Sequence, residues 1–145
     1  MTPERLAVLA LVLDELIPPS TDGRLPGAGE LGLAATFAER ADLVPLLESG
    51  LDALDEVARG AHGGGFAETP PEERRAVVAR IRDEQPAFFS AVFAQTLVGY
   101  YQHPRVLVGI GLEGRPPFPL GFAVPPTDFS ILDPVRSRAP FFRTP

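Results

Sequence analysis

Leu6, Leu9, Leu13, Leu16 and Ile17 recur at steps of three and four near the start of the chain, the spacing of one helix face, until Pro18-Pro19 interrupts it. Thr2 ahead of Pro3 and Glu4 supplies an N-cap, a first-turn proline and an acid at the positive end of the helix dipole, so the pattern predicts a helix over residues 3–17. Residues 20–28 hold Gly23, Pro26 and Gly27 among polar positions and read as loop. A second helix is expected from Gly29-Glu30 to about Arg40, with Leu31, Ala34, Ala35, Phe37 and Ala38 facing inward. Asp42 is placed to cap a third, with Pro45 in its first turn and Leu47, Leu51, Leu54, Val57 and Ala58 as its stripe, ending at Gly60 or at Gly63-Gly64-Gly65. Thr69-Pro70-Pro71-Glu72 reads as a capping box before a fourth helix that buries Val77, Val78 and Ile81. Pro86 opens a fifth, apolar on most of its circumference through Phe88, Phe89, Val92, Phe93, Thr96, Leu97 and Tyr100, which points to a central position.

After His103 the pattern changes. Nine of the 17 prolines fall in residues 104–145, with four glycines and no sustained helical or strand period. The expected organisation is an all-α bundle of about five helices over residues 1–103, followed by a long proline-rich, largely irregular arm over 104–145. The arm is too apolar to stay solvated, so it should lie on the bundle or on a partner subunit. Charge divides at the same place: residues 1–103 carry 8 basic and 16 acidic groups, the arm 5 and 3, so a basic arm follows an acidic bundle.

Length and composition bound the rest. The 145 residues suit one core, and a formal charge of −6 without a basic patch argues against a nucleic-acid partner. The one long apolar run is broken by Asp14 and Glu15, which argues against membrane insertion. All 13 basic residues are arginine and there is no cysteine, which removes lysine Schiff-base chemistry, thiol catalysis and disulfides. With no secretory or twin-arginine signal in the sequence, the expected location is the cytoplasm, or the periplasm if a leader has been removed.

Candidate chemistry is sparse. His62 and His103 are far apart and match no metal spacing, so each is read as an imidazole near a helix C-terminus. Asp52, Asp55 and Glu56 read as a solvated helix face, whereas Asp14, an acid in an unfavourable last turn, is expected to accept a loop N–H. Gly63-Gly64-Gly65 lacks the strand and lysine of a phosphate loop, and no serine has a nucleophile-elbow context. Tyr100 and Tyr101 cannot share one core, because helix neighbours diverge by about 100°. One should be buried with its hydroxyl bonded, and the other should face the arm or a partner. The partner-binding set read from the residues is Tyr100, Tyr101, His103, Arg105, Phe118, Phe122, Phe141 and Phe142.

A series of short motifs runs through the chain in a characteristic order. Leu16-Ile17-Pro18-Pro19 is followed by Pro26-Gly27-Ala28-Gly29, by Gly50-Leu51-Asp52-Ala53-Leu54-Asp55, and by Phe66 just before Thr69-Pro70. Phe88-Phe89, Gly99-Tyr100-Tyr101, His103-Pro104-Arg105, Ile110-Gly111-Leu112-Glu113-Gly114 and Gly121-Phe122 complete it. In this the chain resembles the gluconate 2-dehydrogenase subunit 3 family, the small subunits of flavin-dependent sugar dehydrogenases. The resemblance implies a helical subunit with no cofactor, catalytic residue or metal of its own. Its partner would be a large FAD-containing subunit of the glucose-methanol-choline type, which it helps to mature, stay soluble or, in exported complexes, reach the periplasm. Two other readings stand beside it: a stand-alone enzyme or small-ligand binder using Asp14, His103 and Tyr100-Tyr101, and a chaperone that releases the flavoprotein after maturation.

Overall fold

In the computed structural model, which describes residues 1–121 and 125–139, the chain is all-α, with seven α-helices and no strand among the described residues. The first, α1 (Pro3–Leu16), starts as its sequence dictates: Thr2 is extended and its hydroxyl accepts the Arg5 N–H at 3.3 Å. Leu9 and Leu13 are fully buried, joined by Val8 and Val12, while Leu6, Leu16 and Ile17 are half-buried at the edges of the face.

The second helix is shorter than its pattern suggests. Gly29–Leu31 form one 3-10 turn, Gly32 takes φ 72°, and only then does α2 (Leu33–Ala38) begin. A left-handed residue breaks the helical hydrogen-bond ladder, which turns the face, so that Leu33, Ala34 and Phe37 are buried while Ala35 is exposed.

Helix α3 (Val44–His62) buries its whole expected stripe, Leu47, Leu51, Leu54, Val57 and Ala58, and closes on Gly63 at φ 81°, whose N–H reaches the Arg59 carbonyl at 3.0 Å. Asp42 does not cap it. Its carboxylate takes Arg40 in two contacts of 3.2 and 2.6 Å, a charge-assisted pairing that outcompetes a backbone N–H, and the helix starts from Leu43.

Helix α4 (Pro71–Glu84) buries Val77, Val78 and Ile81, but without the expected Thr69-Glu72 box. Pro71 holds Pro70 in extended geometry at ψ 140°, which delays the helix by one residue. Thr69 is buried instead and donates its hydroxyl to the Gly65 carbonyl at 3.3 Å, under a 3-10 turn (Phe66–Glu68) that seals Phe66 in the core.

Helix α5 (Pro86–Gln102) touches α1, α2, α3 and α4, as its apolar content predicts. Only one row of it is enclosed: Phe88, Val92, Thr96 and Tyr100 are buried, whereas Phe93, Val98 and Tyr101 are exposed. The chain does not depart as an irregular arm at Pro104. His103 is extended between two helices, its Nδ1 accepts the Arg105 N–H at 3.2 Å, and Pro104 takes the first-turn position of α6 (Pro104–Gly109). His103 thus serves two helices: its backbone N–H donates to the Tyr100 carbonyl at 3.1 Å and closes α5, the helix C-terminus its sequence position predicts, while its side chain caps α6. Val106 of α6 is fully buried against the bundle. Beyond Gly109 the described residues are turns and coil until a 3-10 turn (Phe129–Leu132) that runs into α7 (Asp133–Arg136).

Asp55 departs from the solvated reading of the α3 acids. Its Oδ1 accepts the Phe66 N–H at 2.9 Å, and its Oδ2 lies 3.4 Å from Arg5, which also pairs with Glu48 and Asp52. One guanidinium thus ties α1 to α3, and one carboxylate ties α3 to the loop beyond it.

Candidate partner-binding face

Two rows of apolar side chains run the length of α5, one residue apart. The inner row, Phe88, Val92, Thr96 and Tyr100, is core. The outer row, Phe89, Phe93, Leu97 and Tyr101, follows the same four-residue step: Phe89 is half-buried and packs against the edge of the core, Leu97 is half-buried, and Phe93 and Tyr101 are exposed. Phe89 and Phe93 stack at 5.9 Å with their planes 8° apart. No charged residue interrupts the helix, although an ordinary surface helix is polar on its outer side.

The tyrosine pair divides as helix geometry requires. Tyr100 is 2% exposed and donates its hydroxyl to the Pro26 carbonyl at 3.0 Å, and burial, with Tyr101 beside it, pushes its phenol pKa up. Tyr101 is 54% exposed and meets the Tyr100 ring edge-on at 5.2 Å. It continues the outer row into a groove of about 410 Å³ lined by Gln102, Leu107, Leu112, Arg115, Pro116 and Pro117. The surface is therefore a strip running from Phe89 along α5 into a proline-walled trough.

The other candidates are dispersed. His103 serves as the α6 cap. Arg105 is exposed, 4.0 Å from Glu30, and lines a different cleft of about 590 Å³ with Arg24, Pro19, Pro26 and Pro104. Phe118 is 85% exposed in the arm. Phe122, Phe141 and Phe142 lie outside the described residues. The outer row Phe89-Phe93-Leu97 and the trough residues Leu107, Leu112, Pro116 and Pro117 were not singled out from sequence as partner-facing. The signal for the row was present: two four-step series, offset by one residue, in a helix without charge.

Asp14 accepts the Gly29 N–H at 2.8 Å, as its position suggested. Burial raises its pKa above the ordinary carboxylate value of 3.8, the Gly29 bond works against that rise, and Glu30 adds to it. Neither Asp14, His103 nor either tyrosine lines the 590 Å³ cleft, and Tyr101 opens onto the separate trough. The set Asp14, His103 and Tyr100-Tyr101 is therefore not gathered around either. His62 lies 2.5 Å from Glu73, linking the end of α3 to the first turn of α4, and no cluster of three or more metal-ligating side chains occurs among the described residues. No helix among them is long and apolar enough to cross a membrane.

Neither the curated proteins nor the solved structures contain a match to this chain. The family model for gluconate 2-dehydrogenase subunit 3 matches residues 3–110, which takes in every helix from α1 to α6 and stops where the arm begins. The chain belongs to the gluconate 2-dehydrogenase subunit 3 family, whose members are small subunits of a dehydrogenase complex.

Proposed function

We propose that this protein is the non-catalytic accessory subunit of an FAD-dependent sugar or glycoside dehydrogenase of the glucose-methanol-choline type, and that it stabilises the catalytic flavoprotein through the outer face of α5. The observation that carries this reading is the second apolar row, Phe89, Phe93, Leu97 and Tyr101, running into the Leu107, Leu112, Pro116 and Pro117 trough. An uncharged strip of this length on a small chain is a contact surface. Aromatic residues at its centre are the side chains that most often dominate binding.

The mechanism is linkage. A subunit that binds the folded flavoprotein and not its unfolded chain stabilises it by about 2.7 kcal/mol when present at 100 times its dissociation constant. The same strip covers apolar surface that would otherwise drive aggregation during maturation. FAD is assigned to the large subunit because Gly27-Ala28-Gly29-Glu30-Leu31-Gly32 and Gly109-Ile110-Gly111-Leu112-Glu113-Gly114, although spaced G-x-G-x-x-G, each follow a helix, whereas a dinucleotide fingerprint follows a strand, and no strand occurs among the described residues.

Co-expression with an FAD-dependent glucose-methanol-choline dehydrogenase of the same organism tests the proposal. The two chains should copurify with FAD in stoichiometry to the large subunit, this chain alone should be colourless, and Phe93→Asp should break the complex without lowering the melting temperature. Flavin bound to the isolated chain, or a complex indifferent to Phe93→Asp, would overturn it.

A further inference from the structure

The cleft of about 590 Å³ takes no part in the α5 face and is built from fastened pieces. One wall is the loop between α1 and α2, the other α6 with the turn that follows it. Ser20 closes the loop on itself: its N–H donates to the Leu25 carbonyl at 3.0 Å, and its hydroxyl oxygen accepts the Leu25 N–H at 2.9 Å. The loop exit is tied to the bundle, since the Ala28 N–H donates to the Ile17 carbonyl at 2.9 Å and Tyr100 holds the Pro26 carbonyl. Gly109 lets the second wall come close, because a Cβ there would overlap the Leu25 side chain and the Arg24 carbonyl. Arg24 reaches across to the Gly109 carbonyl. Pro19, Pro26 and Pro104 fix the backbone of the walls and, with Val108, make the lining largely apolar. Residues 19, 26, 104, 105 and 114 belong to four of the short motifs seen in the sequence, far apart along the chain and gathered here by the fold.

Two arginines line this apolar space. Arg24 gives one donor to the Gly109 carbonyl, and the Arg105 guanidinium stops 4.0 Å from Glu30, so most of their N–H groups lack a protein acceptor among the described residues. Asp22, two residues from Arg24, lines the adjoining hollow, and its carboxylate takes the Ser20 hydroxyl at 2.6 Å and the Arg24 backbone N–H at 3.1 Å. Elsewhere the guanidinium groups are taken: those of Arg40, Arg80 and Arg82 sit 2.6–2.9 Å from carboxylates. Residues 1–103 carry 16 acidic groups against 8 basic, yet this cleft holds two cations and a single acid, Glu30. We propose that the cleft binds a small organic monocarboxylate with a compact apolar body, its carboxylate on the Arg24 and Arg105 guanidinium groups and its body against the proline walls. Planar guanidinium forks match the two oxygens of a carboxylate. Glu30 restricts the ligand to one negative charge, because a second would meet that carboxylate with no further cation in the site. The volume falls within the roughly 300–1,000 Å³ of small-molecule sites. The apolar walls select the body, since a polyhydroxylated acid would leave its hydroxyls unpaired against them. Walls already fastened cost little ordering on binding. Such a site does not depend on what α5 contacts.

Calorimetric titration of the full chain at neutral pH and low salt, with benzoate as the probe, tests the site. Benzoate should bind saturably, and more tightly than benzamide, which lacks the charge, acetate, which lacks the body, and phthalate, which adds a second charge. Arg105→Gln should lower benzoate affinity at least about tenfold at an unchanged melting temperature, since that guanidinium makes no hydrogen bond among the described residues. Arg24→Gln should lower it as well, with melting temperature followed because Arg24 also bonds Gly109. Glu30→Gln keeps an acceptor for the Gly27 N–H and should raise the affinity a few-fold. No saturable binding of benzoate, or benzamide bound equally well, overturns the site, and so does benzoate binding indifferent to Arg105→Gln. Phthalate bound as tightly as benzoate, or weaker binding in Glu30→Gln, overturns the restriction to one charge. If benzoate does not bind and Arg105→Gln instead weakens association with the flavoprotein, the cleft is a protein contact and the proposal fails.

Discussion

Tyr100 donates its phenolic hydroxyl to the carbonyl of Pro26 at 3.0 Å, across 74 residues of sequence. That bond joins the core row of α5 to the loop between α1 and α2, while the neighbouring Tyr101, its ring edge-on to that of Tyr100, stays exposed. Tyr100→Phe leaves the Pro26 carbonyl unpaired in a buried site and should cost about 1–2 kcal/mol. Tyr100→Ala should cost about 3–5 kcal/mol through the lost ring. Tyr101→Ala should leave the melting temperature within error and weaken flavoprotein binding by about 1–2 kcal/mol. Denaturation and affinity measured on all three variants decide it, and parallel behaviour of the two alanine variants would refute the division of roles.

Gly50 in the middle of α3 lets the Phe88 ring lie against the helix backbone, where a Cβ would overlap the ring. Glycine in a helix interior ordinarily costs about 0.5–1 kcal/mol against alanine, so propensity alone favours Gly50→Ala. Overpacking at about 1–3 kcal/mol outweighs it, and the variant should be destabilised. Phe88→Leu in the Gly50→Ala background should recover part of the loss. Gly60, in the same helix with nothing near its missing Cβ, is the control: Gly60→Ala should stabilise. Equal effects at positions 50 and 60 would mean that the Phe88 contact does not restrict α3.

Asp14 gives the fold a pH dependence of known sign. Its folded pKa lies above the ordinary 3.8, so between the two values the folded chain binds more protons than the unfolded chain, and its contribution to stability is lost as pH rises. Asp14→Asn keeps an acceptor for the Gly29 N–H while removing the charge. It should exceed wild type in stability at pH 7, by a margin that shrinks as pH falls toward about 3.5. Asp14→Ala, which orphans the Gly29 N–H, should be less stable than Asp14→Asn throughout. Urea titrations at both pH values check it, and an Asn variant weaker than wild type at pH 7 would show that the ionised carboxylate's bond to Gly29 outweighs its desolvation.

The legible parts of this fold are those where one physical signal acts alone. The stripes of α3 and α4 follow from single apolar faces closed by Gly63 and opened by Pro71, and all their expected core residues are buried. The caps failed where a second interaction competed, Arg40 for Asp42 and the Pro70-Pro71 pair for Thr69. Helix α6 was invisible because six residues leave too little periodicity to read, and only its N-cap and proline could have marked it. On α5 apolar content was read as burial around most of the circumference, whereas the helix meets its neighbours on one side and presents the remainder outward. That misreading concealed the candidate face, since Phe93 and Tyr101 are apolar or aromatic for contact and not for the core. That one tyrosine is buried and the other exposed was legible from helix geometry. Which of them is buried follows from the Phe88, Val92 and Thr96 row that Tyr100 extends.

The end of the helical body sets where the arm can be removed without harm. Helix α6 belongs to that body: Val106 is fully buried, and Arg24 donates to the Gly109 carbonyl at 3.2 Å, fastening the far end of α6 to the first loop. Cutting after His103 removes Val106 and exposes the surface it covers, at a cost of about 1.5–3 kcal/mol. Cutting after Ile110 removes only residues beyond the family match, so helical circular dichroism and melting temperature should stay close to wild type. Both truncations lose Leu112, Pro116 and Pro117 from the trough, together with the segment around α7, and both should lose the flavoprotein. The informative comparison is stability against association in the two truncations. If the cut after Ile110 melts as low as the cut after His103, the arm supports the bundle, and if it keeps full affinity, α5 alone carries the contact.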